Sequence, residues 1–145
     1  RNYSNENYLY ILLITTICVA TDLGGFIFGK LIKGPKLTKL SPQKTYAGMF
    51  GGFFLSVISI YFFLKNPYLE KLDNIASEVL ILLLLVSAIS QLGDIIISYF
   101  KRKSNIKDTG FIIPGHGGLL DRIDGMIFAF PFSYIILSVN KIIIF

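Results

Sequence analysis

Charge is scarce in this chain. Only 16% of its 145 residues are Asp, Glu, Lys or Arg, and 53% are hydrophobic. Soluble domains carry about 25% charged residues. With a mean hydropathy of +0.64, this balance excludes an ordinary water-soluble domain and points to an integral membrane protein. Cysteine is nearly absent: Cys18 is the single one and lies in an apolar run, so a disulfide framework and a cysteine metal centre are excluded. Acids are fewer than bases, giving a net charge of +5. The bases sit in two loops between apolar runs rather than along one face, which argues against nucleic acid and for a lipid bilayer as the partner. No internal repeat or low-complexity linker divides the chain, so residues 1–145 read as one membrane domain.

Four windows are long and apolar enough for a spanning helix of ~20 residues: 8–28, 46–64, 76–99 and 125–145. The expected fold is therefore all-α, a polytopic membrane bundle of about four helices. Residues 1–7 are polar, and the run after them has no basic front or small-residue cleavage site, so it reads as a span rather than a signal peptide. The first connection holds Lys30, Lys33, Lys36, Lys39 and Lys44 with no acid. In the second, Lys65 and Lys71 offset Glu70 and Asp73. The third is again basic. Short Lys- and Arg-rich loops stay cytoplasmic, which places 29–45 and 100–124 inside and both termini outside.

Gly25 and Gly29 are four apart, as are Gly48 and Gly52, a spacing that lets helices approach closely in lipid. The aromatics from Phe50 to Phe63 read as lipid-facing or core surface. Asp94 is different, because a carboxylate near the end of an apolar helix is a functional candidate by default. Ser87, Gln91, Asp94 and Ser98 recur at helical spacing and form one polar stripe. Such a stripe either faces a wet cavity or forms a hydrogen-bonded helix seam. Asp22, in the first apolar run, suits a site role or an interhelical hydrogen bond equally. Asp121 and Asp124 are three apart and share a helix face. With Asp94 they are oxygen donors suited to Mg²⁺. Ser41 and Pro42 have the residue types of an N-cap and a first helical position. That helix start, with Lys44 beside it, suits phosphate, with Ser41 either capping or touching ligand.

The stretch 98–124 carries Ser98, Lys101, Arg102, Lys107, Asp108, His116, Gly117, Gly118, Asp121, Arg122 and Asp124 in fixed order and spacing. It resembles the signature of the phosphatidate cytidylyltransferase family, also called CDP-diacylglycerol synthase. Gly93-Asp94 matches a Gly-Asp pair of that family. Ser41-Pro42-Gln43-Lys44-Thr45 resembles its Ser-Pro-Lys-Lys-Thr motif, with Gln43 in place of a lysine.

The resemblance implies an enzyme that joins CTP to phosphatidic acid, giving CDP-diacylglycerol and pyrophosphate in phospholipid synthesis. It implies Asp94, Asp121, Lys107 and Arg122 in catalysis and Asp94, Asp121 and Asp124 at Mg²⁺, with a second cation as an option. Ser41, Lys44, Ser98, Lys101, Arg102, Asp108, His116, Gly117 and Gly118 would bind substrate. His116 would contact ligand or shape the site. The resemblance also implies a longer protein of which this is the C-terminal part, a homodimer, and a bacterial inner-membrane location with a cytoplasmic site. The rival readings are a CTP-dependent enzyme acting on another lipid phosphate or a polyprenol, and an ion-coupled transporter with Asp22 and Asp94 along its path. A transporter has no need of the spaced loop motif.

The charge pattern makes a prediction about sidedness. In a Cys18→Ser background, Lys36→Cys and Glu70→Cys are expected to react with an impermeant thiol reagent from opposite sides. Equal labelling from one side overturns the topology.

Overall fold

The computed structural model describes residues 3–37, 44–65, 76–106 and 120–143. They form four helices: α1 (Tyr3–Ile32), α2 (Tyr46–Leu64), α3 (Ala76–Lys103) and α4 (Leu120–Ile143). No strand occurs among the described residues. Three stretches are long and apolar enough to cross a membrane: Ile11–Ile32, Tyr46–Phe63 and Leu83–Lys103. The fourth expected window is helical, but its apolar stretch among the described residues is the shorter Ile123–Ile136. The first turn of α4 is polar, with Asp121, Arg122 and Asp124, and Pro131 lies within the helix.

α1 packs mainly on α2, and α3 on α4, with α3 also touching α1 and α2. Glycine decides the first pairing. A Cβ at Gly24 would fall on the Gly51 carbonyl oxygen, and one at Gly48 would lie 2.7 Å from the Gly25 carbonyl oxygen. The backbones of α1 and α2 are therefore in direct contact, as the glycine spacing predicts. The α3–α4 contact is similar. A Cβ at Gly93 would lie 2.8 Å from the Phe128 ring, and one at Gly125 would meet Ser90 and Asp94. Ile17, Cys18, Ile60, Val86 and Ala129 are buried where the helices converge. Phe26, Phe50, Phe62 and Tyr134 face outward, a pattern costly in water and natural where lipid is the solvent.

Two connections are pinned at the same end of the bundle. Before α2, Lys36 and Thr45 form an isolated antiparallel bridge. Leu37 N donates to Lys44 O (2.8 Å) and Tyr46 N to Pro35 O (3.1 Å). The N-cap of α2 is Thr45, whose side chain accepts from Gly48 N. That corrects the expectation that Ser41 caps this helix: the bridge holds the chain extended up to Thr45, so the helix starts later. At the end of α3, Ile106 N donates to Lys101 O and Asn105 N to Arg102 O. Asn105 takes φ 55. This is a Schellman ending with asparagine in the left-handed position, and it stops the helix where the charged segment begins.

Gly24→Ala is expected to separate α1 from α2 and destabilise the protein by about 1–3 kcal/mol, the usual range for overpacking. Thermal denaturation in detergent measures it, and an unchanged midpoint overturns the close-contact account.

Candidate active site

The polar stripe of α3 divides into two parts. Ser87 Oγ hydrogen-bonds Thr21 Oγ1 at 2.8 Å, both buried. Gln91 Nε2 donates a long bond (3.4 Å) to Met49 O. These two residues stitch α3 to α1 and α2. One turn further, the chemistry changes. Lys44 Nζ lies 3.0 Å from Asp94 Oδ2, with the two side chains only 29% and 21% exposed. Asp94 Oδ1 faces α4 at Gly125, where an added Cβ would lie 2.8 Å from it. Ser90 Oγ meets the same glycine and is buried, with no stronger polar partner than the Cys18 thiol among the described residues. Ser98, lower on α3, is half-buried.

Asp22 of α1 completes the group. Its carboxyl lies against that of Asp94 and interacts with Lys44 and, more weakly, with Asp124. Two carboxyls side by side share a proton or hold a cation. About two turns further along α3, Lys101 Nζ contacts Asp124 Oδ2 at 2.5 Å, with side chains 14% and 8% exposed. This ion pair ties the end of α3 to the first turn of α4. Arg102 and Lys103 are exposed beside it. One end of the bundle therefore gathers carboxylates from α1, α3 and α4 and lysines from the loop before α2 and from α3.

Comparison with known proteins shows the family. The profile of the cytidylyltransferase family matches residues 1–140. The chain belongs to the cytidylyltransferase family. It is similar to a phosphatidate cytidylyltransferase of Rickettsia typhi, 40% identical over 134 residues, covering 87% of this chain and 57% of the relative. A protein of that name from Staphylococcus epidermidis is 40% identical over 134 residues (92% and 50% covered). One from Bacillus subtilis is 35% identical over 144 residues (95% and 51%). The chain spans about half the length of these relatives.

The structure thus brings Lys44, Asp94, Lys101 and Asp124 of the expected cytidylyltransferase site to one end of the bundle. Ser41, Lys107, Asp108, His116, Gly117 and Gly118 lie outside the described residues. Asp121 and Arg122 occupy the first turn of α4, but their side chains lie outside the described set. Among the described residues no three acid, histidine or cysteine side chains are grouped to hold a metal by themselves. Sequence reasoning left Asp22 undecided and passed over Ser90 and Gly125. For Asp22 the available signal was a carboxylate inside an apolar helix. The other two carry no signal without the α3–α4 contact.

The two ion pairs differ in burial, and that difference is testable. Removing one partner of a buried pair costs about 3–5 kcal/mol. Lys101→Met is therefore expected to destabilise the protein more than Lys44→Met, whose pair is wetter. Thermal denaturation of both variants decides it; a larger loss in Lys44→Met overturns the ranking.

Proposed function

We propose that this chain is the catalytic part of a membrane phosphatidate cytidylyltransferase, which transfers CMP from CTP to phosphatidic acid and releases pyrophosphate. The observation that carries the reading is the Lys44–Asp94 pair with Asp22 beside it, in a chain whose sequence belongs to the cytidylyltransferases. Acids and lysines crowded at the end of apolar helices suit a reaction between two anionic phosphates. The site would face the cytoplasm, where both basic loops belong by the charge rule and where CTP is found. The host would be a bacterial inner membrane.

In this reaction a phosphate oxygen of the lipid attacks the α-phosphorus of CTP. The bond to the bridging oxygen of pyrophosphate breaks in line. The nucleophile is already ionised, so no general base is required. Catalysis then consists of alignment and neutralisation. Lys44 would bind a phosphate next to the N-terminus of α2, whose dipole favours anions. Lys101 is held by Asp124 and would present α3's last turn, with Arg102, to the nucleotide side. Ser98, Lys107, Asp108, His116, Gly117 and Gly118 would complete the substrate contacts. Arg122 would balance charge on the leaving pyrophosphate, and Ser41 would contact ligand rather than cap α2.

Asp94 and Asp22 place two carboxyls side by side, and Asp121, in the first turn of α4, would add a third oxygen donor for Mg²⁺. Mg²⁺ usually binds one or two carboxylates and completes its shell with water and substrate phosphates, so a pair of facing acids fits it. Bound there, it would supply charge neutralisation on the triphosphate. A second cation would be held by Asp124.

Asp94→Asn and Asp121→Asn keep shape and remove charge. Each is expected to lower CDP-lipid formation by the full-length protein about 100-fold or more, the scale of losing a preorganised charge in such a site. Asp108→Asn should be milder, because Lys103 and Lys107 neighbour it in sequence. The assay is CDP-diacylglycerol formation from labelled CTP across a Mg²⁺ titration. Wild-type rates with wild-type Mg²⁺ dependence would remove these acids from the reaction.

A further inference from the structure

Lys44 is fixed at its backbone and movable at its tip. Its carbonyl accepts from Leu37 N, and the next residue caps α2, so its Cα cannot shift without breaking the bridge. The side chain is a flexible four-carbon stem with a compact charge. Its ammonium sits 3.0 Å from Asp94 Oδ2, with Asp22 within electrostatic reach. One lysine thus faces two acids from two helices. The same two acids are the oxygen donors that a hard cation would use. A lysine ammonium and a divalent cation at one carboxylate repel each other, and a partly buried site screens that repulsion less than bulk water does. A lysine displaced from Asp94 needs an anion within the sweep of its stem, and phosphate is the anion that arrives with the cation.

We propose that Lys44 is an exchangeable counterion: it occupies Asp94 while no cation is bound, and moves to an incoming phosphate when a cation takes that carboxylate. The inference rests on reading this cluster as a cation and phosphate site, but not on which nucleotide or lipid is used. It has a consequence for loading. Affinity for the cation alone is lowered by the fraction of molecules in which the pair is closed. An anion that takes Lys44 raises affinity for the cation, and the cation raises affinity for the anion by the same factor. The site then resists filling by metal without substrate.

The test is Mn²⁺ binding, by electron paramagnetic resonance, to the full-length protein in lipid nanodiscs without nucleotide. Lys44→Met is expected to bind Mn²⁺ at least about fivefold more tightly than wild type, the lower end of ordinary coupling between sites. Lys44→Arg keeps the pair and is expected to stay at the wild-type value, as is Lys36→Met, which removes an exposed charge from the same loop. Lys44→Gln repeats the measurement should the methionine variant fold poorly. Unchanged or weaker Mn²⁺ binding in the neutral variants overturns the proposal, and so does an equal rise in Lys36→Met, which would mean bulk charge alone. CDP-lipid formation is measured separately. Active wild-type protein with flat Mn²⁺ affinities overturns the exchange only. The expected Mn²⁺ pattern in a protein that makes no CDP-lipid upholds the exchange and overturns the cytidylyltransferase reading.

Discussion

A carboxylate about two and a half turns before the end of an apolar helix must be matched by positive charge. In this protein Asp94 of α3 is matched by Lys44. That one requirement constrains much of the surrounding structure. Lys44 can reach Asp94 because the preceding loop is bridged and α2 begins at Tyr46. Asp94 can reach toward α4 because Gly125 leaves its place open, and Gly93 admits the Phe128 ring on the neighbouring position. Asp22 comes alongside because its neighbour Thr21 hydrogen-bonds Ser87 of α3, while glycines let α1 and α2 touch backbone to backbone. Small residues in the bundle thus serve the placement of charge as well as the packing of helices.

Helix number and rough extent were legible in the sequence because membrane spans are set by length and hydropathy, both local properties. The close glycine contact was legible for the same reason, since four-residue spacing puts Gly25 with Gly29 and Gly48 with Gly52 on one face of each helix, but which glycines meet came from the structure. The cap of α2 was not legible, although the apolar window 46–64 matched the helix. Ser41-Pro42 has the right residue types for a helix start, but a pairing between Lys36 and Thr45 across the loop overrides it. Cap preference is worth about 1 kcal/mol, and a bridge with two backbone hydrogen bonds outweighs it.

The site was legible in its acids and less so in their partners. Periodicity correctly placed Ser87, Gln91 and Asp94 on one face of α3, but it could not tell which of them meet protein. Ser87 and Gln91 serve as interhelical hydrogen-bond groups, and Asp94 alone of the three carries an ion pair. Likewise, the three-residue spacing of Asp121 and Asp124 does not say that Lys101 stands across from Asp124. Asp22 required the third dimension, because nothing in its own segment names Asp94 as a neighbour.

The two ion pairs divide the work of the site by their exposure. Lys101–Asp124 is the drier pair and lies at the junction of α3 and α4, close to the Schellman ending that stops α3. Its attraction is screened least, so it suits holding a geometry. Lys44–Asp94 is wetter, and Asp22 sets a second carboxyl beside it. Facing carboxyls at the end of an apolar bundle suit a cation, and the lysines around them draw an anion. A site that must bring together two phosphates needs both attractions at once. An ion pair that opens provides them from the same two side chains, without leaving either charge unmatched in the membrane between turnovers.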